Sequence, residues 1–297
     1  MNNFADLAGI ASGNRPIAAT QLVETLGSII CLINQKGGCG KSSTCFHLAG
    51  AFAQMGLQVL LIDADPQGSL SQGFFGSQLV ETLETDETLA GAFDGSFVFQ
   101  KPGLAVRSTS WPAISIVPAN QCLTRFNVPH PERLGLEQFA LHEFLQSLPP
   151  FDITLIDCPP NLYGCSWSSL LASDYVMIPV PPEDFGAQGL RVVHQAIENA
   201  QMLNPRLSLL GHIVTRFDRR LVVHRSYEQK LREIHGNSVL RTVIPEVSAF
   251  KVSLACRCPV GIYSPRTSAA CLTSELGREI LDHIHAANGY NTEAVTA

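Results

Sequence analysis

The sequence predicts an α/β fold, a mostly parallel twisted sheet with helices on both faces. From Ser28 onward, short apolar runs alternate with longer amphipathic stretches. The runs are apolar throughout, as strands buried on both faces require, instead of alternating with polar residues. Pro and Gly cluster just after the runs, in "DPQG", "CPPNLYG" and "PVPPEDFG". In such sheets the ligand lies at the carboxyl ends of the strands, so these loops are expected to surround it.

The elements follow in order. Residues 1–27 are rich in Ala, Asn, Gly and Thr with weak periodicity. They read as an N-terminal extension of unassigned role, either a short helix or a loose arm. "SIICLIN" reads as a buried strand, "KSSTCFHLAGAFAQMG" as a helix ending at Gly56, and "QVLLIDAD" as a second strand. "AISIVPA", "DITLIDCPP", "DYVMIPV", "SLLGHIVT" and "LRTVIP" are further strand candidates. Helices are expected over "ERLGLEQFALHEFLQS", "FGAQGLRVVHQAIENAQML", "HRSYEQKLREIHG" and "SELGREILDHIHAA". Residues 28–297 are expected to form one domain.

Composition narrows the function classes. The 297 residues are 45% hydrophobic and 15% charged, an ordinary globular balance. No apolar run approaches the ~20 residues of a membrane-spanning helix. The first twenty residues lack the basic and apolar regions of a secretory signal, so a cytoplasmic protein is expected. Nine cysteines are scattered; Cys31, Cys45 and Cys158 lie in apolar segments and are expected to be buried. Cys256 and Cys258 form C-x-C, which is not the usual zinc or redox spacing. The net charge of −6 is uneven: twelve Lys/Arg and five Asp/Glu lie between Arg206 and Arg278, a local +7 against −13 elsewhere. That excess is either a set of solvated helix faces or a basic surface suited to nucleic acid.

The chemistry concentrates in "IICLINQKGGCGKSST", residues 29–44. A buried strand runs into a glycine turn that opens a helix, the context of a phosphate-binding loop. Glycines let backbone N–H groups converge on phosphate oxygens, and the helix N-terminus adds its positive dipole end. Lys41 would reach the terminal phosphates and the Ser42 hydroxyl would bind Mg²⁺. The strict pattern G-x-x-x-x-G-K-[ST] nevertheless fails, because its first glycine position holds Gln35. A second lysine, Lys36, stands five positions before Lys41. Asp63 and Asp65 end the second buried strand, and Asp157 ends "DITLID". Buried carboxylates without a cation or hydrogen-bond donors are costly, so each needs compensation.

"NQKGGCGKSS" resembles the deviant Walker A motif K-G-G-x-G-K-[ST] of the ParA/MinD family of P-loop ATPases. The resemblance continues through "VLLIDADPQGSLS", "DITLIDCPP", "SDYVMIPVPPEDFGAQGL" and "GHIVTRFDRR" to "VIPEVSAFKVSLACRCPVGIYSPRTSAA", covering residues 28 to 285 in family order. "NQKGG", "DPQG" and "TRFDRR" look more like partition ParA (Soj-like) than MinD. The resemblance implies ATP and Mg²⁺ as cofactors. It assigns the phosphates to Gly37, Gly38, Cys39, Gly40, Lys41, Ser42 and Ser43, and water activation to Asp65. It implies a Mg²⁺ or water-shell role for Asp157, beside Ser42. Asp63 is either a further Mg²⁺ support or a strand-end cap. "CPPNLYG" resembles the family's second switch loop. Thr215, Arg216 and Pro245 match segments near the adenine. Lys36 matches the signature lysine, which implies a homodimer in which each Lys36 reaches the partner's nucleotide. An ATP-dependent dimer that binds DNA non-specifically, released by a ParB-like adaptor, follows from the same resemblance.

The DNA contacts expected are Arg219, Arg220, Arg225, Lys230, Arg232 and Lys251. Glu246 departs from the family, where a basic residue often follows "VIP". That departure leaves room for a positioning ATPase acting on a non-DNA cargo or a membrane surface. The tail "DHIHAANGYNTEAVTA" has no Lys or Arg and few large apolar residues, so no stable membrane anchor is expected. A cluster-bearing reductase would need cysteines between subunits, and Cys122, Cys158 and Cys165 do not follow that pattern.

Overall fold

The computed structural model describes residues 27–95, 102–182 and 187–288. The N-terminal extension other than Gly27, the "EDFG" segment and the tail beyond Asn288 lie outside the described residues. Seven strands form one sheet: β1 (Ser28–Leu32), β2 (Val59–Asp63), β3 (Arg107–Ser108), β4 (Ile114–Val117), β5 (Ile153–Asp157), β6 (Tyr175–Val180) and β7 (Ser208–Val214). Their spatial order is β3-β4-β2-β5-β1-β6-β7. Every pairing is parallel except that of β3, which runs antiparallel to β4 at the edge. Register brings Asp63 beside Asp157 and Leu32 beside Asp157, so β1, β2 and β5 end level with one another.

Eight principal helices flank the sheet: α1 (Lys41–Gln54), α2 (Ser69–Phe75), α3 (Ala140–Ser147), α4 (Gly164–Ala172), α5 (Ala187–Gln201), α6 (Val222–His235), α7 (Ser248–Ala255) and α8 (Ser268–Ala287). Successive strand residues point to opposite faces, so each strand feeds two cores. On one face Ile30, Leu32, Leu61 and Leu155 pack with Phe46 and Phe52 of α1 and Leu276 and Ile280 of α8. On the other, Cys31, Ile33, Ile62 and Ile156 pack with Leu141 of α3, Leu170 of α4, Val193 of α5 and Leu231 of α6. Cys31, Cys45 and Cys158 are fully buried, as their apolar settings predict.

Two expected elements differ. "LRTVIP" forms no strand; Val239 and Pro245 make isolated bridges to His212 and Phe217. The reason is competition for donors. Glu279 of α8 accepts the backbone N–H groups of Arg241 (2.6 Å) and Thr242 (2.9 Å). Pro245 has no N–H to give. "ERLGLEQFALHEFLQS" is α-helical only from Ala140, preceded by 3₁₀ turns over Pro131–Arg133 and Gly135–Phe139. Gly135, at φ 57°, interrupts the helical backbone between them. The short antiparallel β3 has no counterpart among the expected strands.

Candidate nucleotide site

The loop between β1 and α1 is held from within and from β7. Gly38 (φ 70°) and Gly40 (φ 95°) are left-handed, a region that residues with a Cβ rarely enter. The backbone therefore turns tightly before α1 begins. Asn34 donates its Nδ2 to Pro179 O (2.7 Å) on β6 and accepts from Lys36 N (3.0 Å). Thr215, just past β7, donates its hydroxyl to Cys39 O (2.7 Å). Arg216 donates Nη1 to Gly38 O (3.1 Å) and Nε to Glu246 (2.9 Å). Arg216 is itself left-handed at φ 53°, a strained backbone for a residue with a long side chain. Pro245 bridges to Phe217, the residue after Arg216.

Lys41 is buried and folded across this loop. Its ammonium donates to Asn34 O (3.0 Å) and Lys36 O (3.2 Å), with Cys39 Sγ at 3.7 Å. These carbonyls keep the ammonium solvated while it lies within its own loop. Lys36 is half-buried, with its main chain fixed on both sides by Asn34 and Lys41. Ser42 and Ser43 open α1 and are half-buried.

The three aspartates share an end of the sheet but differ in their partners. Asp63 is sealed from solvent and well satisfied: its oxygens accept from Ser71 N (2.8 Å), Ser71 Oγ (2.7 Å) and Asp65 N (3.2 Å). Burial raises its carboxyl to about 7 against the pull of those donors. Asp65 is nearly buried and accepts from Gln67 N (3.0 Å); burial lifts its pKa, opposed by that N–H and by Lys41. Asp157 is also sealed, yet neither of its oxygens has a well-formed hydrogen bond. Its pKa stands well above the carboxylate range, through burial first and then the charge of Asp63. A weak hydrogen bond from the Ser42 hydroxyl, short of full geometry, and the charge of Lys41 oppose the rise.

An orphaned buried carboxylate beside a serine hydroxyl and a phosphate-type loop fits a divalent cation, which supplies the missing compensation. Asp157 and Ser42 are the residues placed to hold one, while the bonds of Asp63 to Ser71 turn it toward the start of α2. The structure thus gathers the loop residues, Asp63, Asp65, Asp157, Thr215 and Arg216 at the carboxyl ends of β1, β2, β5 and β7. Asn34 and Ser71 are site residues beyond those the sequence marks. Asn34 sits within the "NQKGG" motif, but Ser71, eight residues beyond Asp63, has no local spacing signal.

The basic candidates lie apart from this site. Arg219, Arg220, Arg225, Lys230 and Lys251 are exposed, on α6, the turn before it and α7. Arg220 pairs with Asp218 (2.6 Å), and Lys251 pairs with Glu246 (2.6 Å). Arg232 is half-buried; it pairs with Glu228 (2.9 Å) and donates to the carbonyls of Val239 and Leu240, tying α6 to the segment below it.

A protein-family model described as an AAA domain matches residues 27–209. The chromosome partitioning protein ParA of Caulobacter vibrioides is 29% identical, over 85% of this chain and 93% of its own length. The chain belongs to the ParA/MinD family of P-loop ATPases. An uncharacterized Mycobacterium tuberculosis protein is 30% identical over 86% of this chain and 78% of its own. Among solved structures, cobyrinic acid a,c-diamide synthase of Mycobacterium smegmatis, with an ATP analog and magnesium, superposes with a TM-score of 0.73. It is 24% identical, covering 89% of this chain and 97% of that one. McdA of Cyanothece, in complex with ATP, gives 0.72 at 20% identity over 90% and 98%. These two likenesses establish the shared fold.

Proposed function

We propose that the protein is a ParA-type partition ATPase that binds ATP with Mg²⁺, dimerises in that state and hydrolyses ATP slowly. The observation that carries this reading is Asp157, buried without a well-formed hydrogen bond beside Ser42 and Lys41. The ATP and magnesium in related folds, and the partition role of the Caulobacter relative, support it. The backbone of Gly37, Gly38, Cys39 and Gly40 would take the phosphates. Lys41 would exchange the carbonyls of Asn34 and Lys36 for phosphate oxygens, with Ser43 at the helix start. Ser42 and Asp157 would hold Mg²⁺, which neutralises phosphate charge when bound. Asp65 would orient the attacking water, since phosphoryl transfer asks for positioning more than for covalent chemistry. Thr215, Arg216 and Pro245 would flank the nucleotide from the β7 side.

Lys36 stands at the loop's entrance, where its point charge can reach across a two-fold axis to the partner's nucleotide. Such a dimer would bind DNA through exposed Arg219, Arg225 and Lys230, in the cytoplasm and on the nucleoid, until a ParB-like adaptor stimulates hydrolysis. With ATP, the wild type is expected to double its mass in light scattering, whereas Lys36→Ala binds ATP and stays monomeric. Equal dimerisation of the two would refute the cross-dimer role.

A second reading, a positioning ATPase for a non-DNA surface, is favoured by Glu246, which draws both Arg216 and Lys251 into ion pairs. No helix among the described residues is long and apolar enough to cross a membrane. ATP-dependent shifts of arbitrary duplex DNA that weaken with salt favour partition; co-sedimentation with liposomes instead favours the second reading.

A further inference from the structure

Three histidines from separate elements meet beneath α5 and α6. His194 lies on α5, His212 on β7, and His235 is the last residue of α6. One ring nitrogen from each lies within 4.8 Å of the other two. Among the described residues, no other trio of His, Cys, Asp or Glu side chains draws its ligand atoms so close. The Nε2 atoms of His194 and His212 are 3.0 Å apart, and the His235 ring lies 4.3 Å from that of His212, centroid to centroid. None of these residues takes part in the nucleotide chemistry above.

We propose that His194, His212 and His235 form a binding site for a divalent transition metal of the zinc type, with the fourth position open to water. The tautomers argue for it. His212 Nδ1 lies 3.0 Å from Ser238 O, and a carbonyl only accepts, so Nδ1 carries the proton. That leaves the Nε2 lone pair of His212 aimed at the other rings. A backbone carbonyl fixing one imidazole nitrogen while the other ligates is the usual support of a metal-bound histidine. Without metal, His194 Nε2 must donate to His212 Nε2; with metal, its proton moves to Nδ1 and both lone pairs face the ion. Ligand nitrogens on a tetrahedral zinc with bonds of about 2.0–2.1 Å stand about 3.3 Å apart. The observed 3.0 Å therefore opens by only a few tenths of an ångström.

The surroundings suit this use. Burial lowers the pKa of all three rings, that of His212 to about 4, so they are neutral near pH 7. Neutral imidazole is the ligating form. Glu198, one turn after His194 on α5, adds a negative charge that favours a cation nearby. His212 is sealed from solvent, whereas His194 and His235 are half-exposed, which provides an entry path. The bound ion would clamp α5, β7 and the end of α6 together. His212 is three residues, or about 10 Å along the strand, before Thr215, which holds the phosphate loop.

The test uses the untagged, metal-free full chain under reducing conditions, titrated with Zn²⁺ against a chromophoric chelator. One ion per chain is expected, with affinity falling at least 30-fold in His194→Ala and in His235→Ala. A Cys256→Ser, Cys258→Ser, Cys271→Ser triple variant, which removes the exposed and C-x-C thiols, should bind as the wild type does. Independently of any variant, Zn²⁺ should shift three imidazole signals in ¹⁵N-correlated spectra. No saturable binding, no imidazole shifts, binding untouched by both histidine changes, or binding lost in the cysteine variant would each overturn the site. None of these outcomes depends on nucleotide.

Discussion

The carboxyl ends of β1, β2 and β5 and the surface of α6 and α7 treat charge in opposite ways. At the strand ends, Asp157 is sealed from water and left without a well-formed hydrogen bond. On the α6–α7 surface, two exposed basic residues are paired within the chain, Arg220 with Asp218 and Lys251 with Glu246. A buried carboxyl without a well-formed partner is expensive to ionise, so a fold that retains one suits a cation that binds there. An exposed pair contributes little to stability, but each internal carboxylate diminishes what a lysine or arginine offers to a phosphate backbone. The contrast recurs within the site itself. Asp63 and Asp157 are neighbours in register, yet Ser71 satisfies one while the other has no well-formed hydrogen bond.

Substitutions in the two regions should differ in the size of their effects. The largest effect is expected from Lys41→Ala, which removes the ammonium held over the loop by Asn34 and Lys36. ATP affinity measured by calorimetry should fall by roughly 100-fold or more, the loss of a charged contact of about 3 kcal/mol; retained affinity would remove Lys41 from the site. Ser71→Ala should come next. It deletes a hydroxyl bond to the buried Asp63 and one from Ala119 N, costing about 2 kcal/mol in denaturant unfolding. An unchanged midpoint would mean that Asp63 is not held as described. The smallest effect is expected from Glu246→Gln, which releases Arg216 and Lys251. ATP-dependent DNA affinity should rise a few-fold with a steeper salt dependence, and no change would place the binding surface elsewhere.

The sheet, its flanking helices and the loop were legible because their signals are local. "SIICLIN", "VLLID" and "DITLID" are continuous apolar runs, and the Gly and Lys spacing of the loop survives in any tertiary context. What stayed hidden depends on residues far apart in sequence. "LRTVIP" has the composition of a strand, and Leu240 N and Ile244 N do bond to β7, but Glu279, 38 residues beyond Arg241, takes two of the donors between them, Arg241 N and Thr242 N. Asp63 and Asp157 read alike in sequence, and only Ser71 separates their roles. Arg232 reads as a surface cation on a helix; its partners are the carbonyls of Val239 and Leu240. The three histidines, 18 and 23 residues apart, carry no spacing motif at all.

The proposed cation role of Asp157 is open to test in a single variant. Asp157→Asn keeps the shape and removes the carboxyl that can ionise. Burial raises the pKa of Asp157 above its unfolded value, so the folded chain holds a proton that the unfolded chain has released above about pH 4. Wild-type stability without nucleotide should therefore fall as pH rises from 4 through 7, and Asp157→Asn should flatten that fall. At pH 7.5 without nucleotide, its melting temperature should exceed the wild type's by roughly 2–6 °C. The same preparation should lose Mg²⁺-dependent ATP hydrolysis by about 100-fold or more. A variant that is less stable than the wild type, or that hydrolyses ATP at the wild-type rate, would contradict the claim.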